Sequence, residues 1–444
     1  MLRGAPLLSP QELYPLVQLW VHALALAPSP AALSALTHLL VAVLCAQSLR
    51  PSALMRALLS PHVVPARQRY KRVARFWERP WLTPAWLTPR LVRAALALGE
   101  AAPWGPAGGQ VLVVLDSVRC GPWEVFTLGV VWHGRMLPLS WAALPYPWPT
   151  GQVTPTVCRL LRQVGAVWPQ GRPGHLLADR AFPSHKLFTT LRRLEWGWTV
   201  RLRAPMPVTA AGVAQTVRDL LRQARPNSWT VWPGAYGQGR KAIPATLVVG
   251  RGLVVLPLHQ RTLGSQRPRA QRQAERLRVK GYRYATVSAT DAWMVLCTTL
   301  PTWQDAVRSY RQRWATAGSY RDAQSGWDGQ HGWDLEPVLT QARSAGQVER
   351  IVGLWAVGAL LQTWIGAQVA HGPAPVRAVA AQWTTTGRLS VWAHGQLALR
   401  EPLLAAWVAQ ILHEGAARVM AAPQVVPAPL VLDTDPPPRR RRAA

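Results

Sequence analysis

With 444 residues, 49% of them hydrophobic, the chain is long enough for two or three domains and apolar enough to exclude wholesale disorder. Fifty basic against twenty acidic residues leave a formal net charge of +30. Such an excess attracts polyanions, nucleic acid first, with an anionic membrane surface as the rival partner.

In chain order, the N-terminus lacks the apolar core of a signal peptide and carries Glu12 early. Apolar positions at helical spacing through LVQLWVHALALA and LSALTHLLVAVLCAQSL predict helices over 12–60, separated near Pro28 and Pro30. The stretch 66–82 then interleaves Arg67, Arg69, Lys71, Arg72 and Arg75 with Tyr70, Phe76 and Trp77. That mixture suits phosphate contacts and groove insertion; the alternative is a solvated helix face whose aromatics belong to the core. From residue 109 the pattern turns to strands. GGQVLVVLDS, EVFTLGVVWHG and RMLPLSWAALP form a meander. A helix through TPTVCRLLRQVGAVW follows, then the short run GHLLAD, a helix near 184–195 and the strand WTVRLRAP. This order matches an RNase H-like core.

Residues 205–290 look like an insertion of short β-type runs with a strongly basic segment from Arg261 to Arg283. AWMVLCTTL restores a core strand, and helical sequence is expected from Trp303 to Asp322 and from Val338 to Ala370. The uncharged run 351–370 could cross a bilayer by length. Gln362, Thr363 and Gln368 interrupt it and small residues recur in it, so a buried helix is expected and no membrane partner. Four cysteines without CxxC spacing fit neither a disulfide framework nor a zinc site, which points to a reducing, cytoplasmic location.

Asp116 and Asp179 each close an apolar strand. Hard carboxylate oxygens in that arrangement can hold Mg²⁺, or Mn²⁺ as its substitute, and two such ions can activate an attacking oxygen and stabilise a leaving one. Asp116 would bridge the ions and Asp179 would complete one shell. The alternative is that each aspartate is a strand-closing turn residue.

LVVLDSV resembles the first-Asp motif of bacterial insertion-sequence transposases of the DDE type. LLADRAFPSHKLFTTLRRLEWGWTVRLR resembles their second-Asp motif, and SYRQRWATAGSYRDAQSGWD the Y-x2-R-x3-E-x6-K signature of one large group. The N-terminal helices and TTTGRLSVWAHGQLALR extend the resemblance over nearly the whole chain. It implies an α/β fold with an RNase H-like catalytic core and a β-rich insertion, preceded by an α-helical DNA-binding domain. The expected divisions are a helical end-binding domain over 1–108, core over 109–204, insertion over 205–290, core and C-terminal helices over 291–420, and a disordered Pro/Arg tail over 421–444.

The signature departs from the family at its third acid, which falls at Ala317, and at its lysine, which falls at Gln324. Alanine binds no metal, so the chain as written is expected to cut DNA very poorly. Asp322, Asp328, Asp334 and Glu336 are the nearby acids that could substitute. Tyr310, Arg313 and Ala317 fall at i, i+3 and i+7 on one helical face. Arg313 would contact an end phosphate, or else pair with a carboxylate such as Asp305. Tyr310 would bond the same backbone, Gln324 would keep a hydrogen bond there, and Arg180 and Arg321 would belong to the same surface. Trp327, Trp333 and Trp123, near the acids, are candidates to stack a flipped base, or else core residues.

The function implied is hydrolysis at element ends followed by strand transfer. The partners are double-stranded DNA with terminal inverted repeats and target DNA, with a dimer in the DNA complex. The alternatives are a catalytically inactive, transposase-derived DNA-binding protein and an RNase H-like nuclease or resolvase.

Overall fold

The computed structural model describes residues 8–58, 64–79, 81–99, 109–226, 228–251, 293–324, 332–383 and 389–423. The basic segment 261–283, Trp327, Asp328 and nearly all of the Pro/Arg tail lie outside them. The fold is mixed α/β. The first helices are α1 (Pro10–Ala23), α2 (Pro30–Ala46), α3 (Pro51–Ala57), α4 (Ala66–Phe76) and α5 (Pro84–Gly99). Strands β1 (Val111–Cys120), β2 (Trp123–Trp132) and β3 (Arg135–Pro145) follow, then α6 (Val153–Gly165), β4 (Gly174–Ala178), α7 (His185–Arg193) and β5 (Gly197–Arg201). Next come β6 (Pro207–Ala210), β7 (Val213–Thr216), α8 (Val217–Gln223), β8 (Ser228–Tyr236), β9 (Ile243–Arg251) and β10 (Trp293–Thr298). The last helices are α9 (Trp303–Arg311), α10 (Trp314–Gln324), α11 (Leu335–Thr340), α12 (Ala345–His371), α13 (Ala374–Ala381), α14 (Val391–Ala398) and α15 (Ala405–Ala421).

These elements form two compact units. The first comprises Met1–Pro103, Ser117–Arg172 and Ala315–Ala444, the second Trp104–Asp116 and Pro173–Trp314. The division cuts across the one expected from the sequence. The N-terminal helices do not stand apart, because their apolar faces are buried against the C-terminal ones. Trp20 of α1 is buried and donates its indole N–H to the Leu412 carbonyl at 2.7 Å, while Trp364 of α12 donates to the Ile411 carbonyl at 2.9 Å.

In the first unit β2 and β3 form a long antiparallel hairpin. Helix α1 starts in a capping box, in which the Ser9 hydroxyl accepts from the Glu12 N–H and Glu12 accepts from the Ser9 N–H. Among the described residues, α12 is the one unbroken helix long and apolar enough to cross a membrane, and 94% of its most apolar window is buried. Its small residues explain why it serves as a core helix. A Cβ on Gly366 would collide with the Val391 carbonyl oxygen, and one on Gly395 of α14 with that of Gln362. The two backbones are nearly in contact there.

In the second unit the strand order is β1-β4-β5-β10-β9-β8-β6-β7. β1, β4 and β5 run parallel, and each later pairing is antiparallel. Within 205–251 the expected insertion is therefore an extension of the sheet, since β9 pairs with β10 along six residues from Trp293 to Thr298. Helix α9 lies over this sheet on a core of Val248, Leu296, Ala306, Val307 and Tyr310. Trp303 of α9 stacks on Trp229 of β8 at 5.8 Å between ring centroids, which fixes the roll of the helix and hence the direction of Tyr310.

Candidate functional site

The register of β1 and β4 pairs Leu115 with Ala178. The next residue on each strand is Asp116 or Asp179, so two neighbouring parallel strands deliver two aspartates side by side. Both are partly exposed. The turn after β4 is tied down by a bond from the Phe182 N–H to the Asp179 carbonyl at 3.1 Å.

Helix α9 and the turn after it supply the donors. The Tyr310 hydroxyl donates to Asp179 Oδ1 at 3.1 Å, and Arg313 Nη1 donates to Asp116 Oδ2 at 3.0 Å. The Arg313 side chain is 11% exposed and that of Asp116 19%, so water screens this pair weakly. The Tyr310 phenol is pushed up to about 12, chiefly by burial; the Arg313 charge pulls it down and Asp179 pushes it up again. Burial works against the Arg313 charge, but Tyr310, Asp116 and Asp179 together hold its pKa above the ordinary guanidinium value. Its Nε is buried with no hydrogen-bond partner.

Asp116, Asp179, Tyr310 and Arg313 are thus brought together, and two expectations about them are corrected. Tyr310, Arg313 and Ala317 do not share a continuous helical face. α9 ends at Arg311, where the N–H groups of Gln312 and Arg313 bond three residues back to Ser309 and Tyr310, and α10 begins at Trp314. Nor does Arg313 pair with Asp305, which caps α9 through Thr302 and lies 4.0 Å from Arg308; its carboxylate partner is Asp116.

Ala317 and Gln324 are half-buried on α10 in the first unit, and Arg321 is exposed there. Arg180 is exposed on the turn after β4. Asp322 does not offer a free carboxylate. It is buried, with Oδ2 2.5 Å from Arg135 Nε; burial raises its pKa and Arg135 only partly offsets this. Asp334 is held by Ser48 at 2.6 Å and Arg50 at 3.0 Å, and Glu336 is exposed in the first turn of α11. Trp333 cannot stack a base, since it is fully buried and donates to Gln47 Oε1 at 2.9 Å. Trp123 is half-buried and donates to the Ala342 carbonyl at 3.2 Å. Along α4 and the residue after it, Val73, Phe76 and Trp77 are core, while Tyr70, Lys71 and Arg72 are exposed and Arg69 is half-exposed.

Two residues escaped the sequence reading. Trp314 is 46% exposed, with the Arg313 guanidinium 4.9 Å from its ring centroid; its place next to Arg313 in RQRW was the available signal. Glu124 is a buried acid that accepts from Ser117, the neighbour of Asp116, at 2.6 Å, and nothing local in the sequence marks it.

Mg²⁺ or Mn²⁺ in a two-ion arrangement would need more acid than this. Among the described residues two carboxylates meet, each bonded to a donor. Among the described residues no group of three His, Cys, Asp or Glu side chains is placed to hold a metal. The donor set therefore does not fit the two-ion site that the resemblance implies. Neither a protein-family model nor a curated protein matches the chain.

Proposed function

We propose that the chain is a DNA-binding protein of the DDE transposase type whose own hydrolytic site is incomplete, so that it holds DNA ends and cuts them very poorly. The observation that carries this reading is the meeting of Asp116 and Asp179, on adjacent parallel strand ends, with Tyr310 and Arg313 from one short stretch. They come from three motifs in the order the resemblance requires, and alanine stands at the position of the third acid. The element order β1-β2-β3-α6-β4-α7-β5, with β1, β4 and β5 parallel, supports an RNase H-like core.

Arg313 has five N–H donors and gives Nη1 to Asp116. Its small exposed edge would hold a phosphate oxygen, so the same guanidinium would neutralise Asp116 and hold a DNA strand beside it. Tyr310 positions Asp179. The +30 charge supplies affinity for duplex DNA that falls steeply with salt.

The test uses duplex DNA from the flanks of the gene, in Mg²⁺ and in Mn²⁺, with the chain as written and its Ala317→Glu variant. Salt-dependent binding by both, with cutting by the variant alone, is expected. Cutting by the chain as written would overturn the incomplete site. Binding without cutting by either protein would leave a DNA-binding module, and no binding by either would overturn the whole reading.

A further inference from the structure

The first unit contains a cavity of about 440 Å³ between α2 and α4 that involves none of the carboxylate site. Its floor is apolar, formed by Leu39, Val73 and Phe76, all buried. Its rim carries Arg69, Arg72, Arg75 and Arg79, and among the described residues no carboxylate lines it. The sequence of α4 produces this combination: Arg69, Arg72, Val73 and Phe76 fall at i, i+3, i+4 and i+7, so apolar and cationic side chains share a face. Gathering four guanidinium groups without an acid costs mutual repulsion, which a bound anion would relieve. Arg69 Nε is moreover buried with no hydrogen-bond partner among the described residues.

The opposite wall adds a different polar group. His38 Nδ1 lies 2.7 Å from the Ser34 carbonyl oxygen, which can only accept, so Nδ1 carries the proton. Nε2 is left as the second polar atom of the ring. A pocket of this volume is in the range of small-molecule sites and is too small for the width of a duplex.

We propose that this cavity binds a single nucleotide, with its base against Leu39, Val73 and Phe76 and its phosphate held by the arginines. Planar guanidinium forks match phosphate oxygens in pairs, and the apolar floor selects a phosphate that carries a flat organic body. The nucleotide comes either from solution or from the 5′-phosphorylated end of a DNA strand. The inference rests on the first unit alone and is independent of the carboxylates.

Calorimetric titration of the full chain with AMP, adenosine, inorganic phosphate and a 5′-phosphorylated tetranucleotide tests it. AMP or the tetranucleotide is expected to bind at one site at least tenfold more tightly than adenosine or phosphate, and the tighter of the two identifies the source. Arg72→Gln combined with Arg75→Gln, both on exposed positions, should weaken that binding at least tenfold. Ala35→Trp should abolish it by filling the cavity without changing charge; Ala35→Leu is the milder replacement if the tryptophan impairs folding. Equal binding of AMP and phosphate, or AMP binding unchanged in the double and cavity-filling variants, would overturn the proposal and leave only general attraction to a basic protein. Absence of any binding would overturn it as well.

Discussion

Arg313 and Asp116, 197 residues apart in sequence, form an ion pair at 3.0 Å with both side chains largely withdrawn from water. Removing one partner strands the other as a poorly solvated charge, and that cost exceeds the net worth of the pair itself. Arg313→Ala is therefore expected to lower stability by about 3 kcal/mol, read from urea unfolding. Arg313→Gln combined with Asp116→Asn should recover much of the loss. A single variant as stable as the parent would mean that the pair is open to solvent.

Tyr310 approaches the same site through an uncharged donor. Tyr310→Phe keeps the ring in the core of α9 and deletes the hydroxyl with its bonds to Asp179 and Arg313, so a loss of about 1.5 kcal/mol is expected. The phenol titrates near 12 when folded, against about 10 when unfolded. The folded protein thus binds the proton more tightly, and this contribution is complete below pH 10 and lost as the pH rises from 10 to 12. In an ultraviolet titration the phenolate amplitude above pH 11 should shrink in the variant. Amplitude lost near pH 10 rather than above pH 11, together with unchanged stability, would place the hydroxyl in water.

The two carboxylates were legible because a Gly-bounded apolar run ending in Asp is a local pattern, and GHLLAD repeats it with the spacing that a parallel neighbour needs. The break between Arg311 and Trp314 was not legible. RQRW contains no Pro or Gly, and Arg313 finds its partner far away in the sequence. The strands of 205–251 could be read singly, but their membership of the sheet depends on the pairing of β9 with β10, which no local feature encodes. Of the two readings of Trp333, stacking platform or core residue, the core one holds, and no local feature decided between them. Trp333 lies next to acids in the sequence, yet its surroundings are set by Gln47, 286 residues away.

Gly366 and Gly395 test how closely α12 and α14 must approach. Their hypothetical Cβ atoms meet backbone oxygens, which cannot rotate away as a side chain could. Gly366→Ala should force the helices apart and destabilise the first unit by about 2–3 kcal/mol, despite the better helix propensity of alanine. Gly346→Ala, at the start of the same helix, where the nearest neighbour is the flexible end of Arg350 at 3.4 Å, should be close to neutral. Thermal melts of the two variants make the comparison, and equal behaviour would show that the helices are not in close contact.

His175 sits inside β4 with no exposure, and its Nε2 lies 2.8 Å from Thr199 Oγ1, which in turn lies 2.8 Å from Thr298 Oγ1. Burial pushes its pKa down to about 4, whereas the unfolded chain takes up the proton near 6.5. Between those values the unfolded state binds more protons, so the contribution to stability is complete above about pH 6.5 and declines as the pH falls toward 4. The decline amounts to about 3 kcal/mol. His175→Gln retains a polar group but cannot titrate. The stability difference between parent and variant, measured by urea unfolding at pH 7.5 and 4.5, should shift against the parent by roughly that amount. A difference that stays constant with pH would mean that the imidazole is already protonated, or reached by water, inside the sheet.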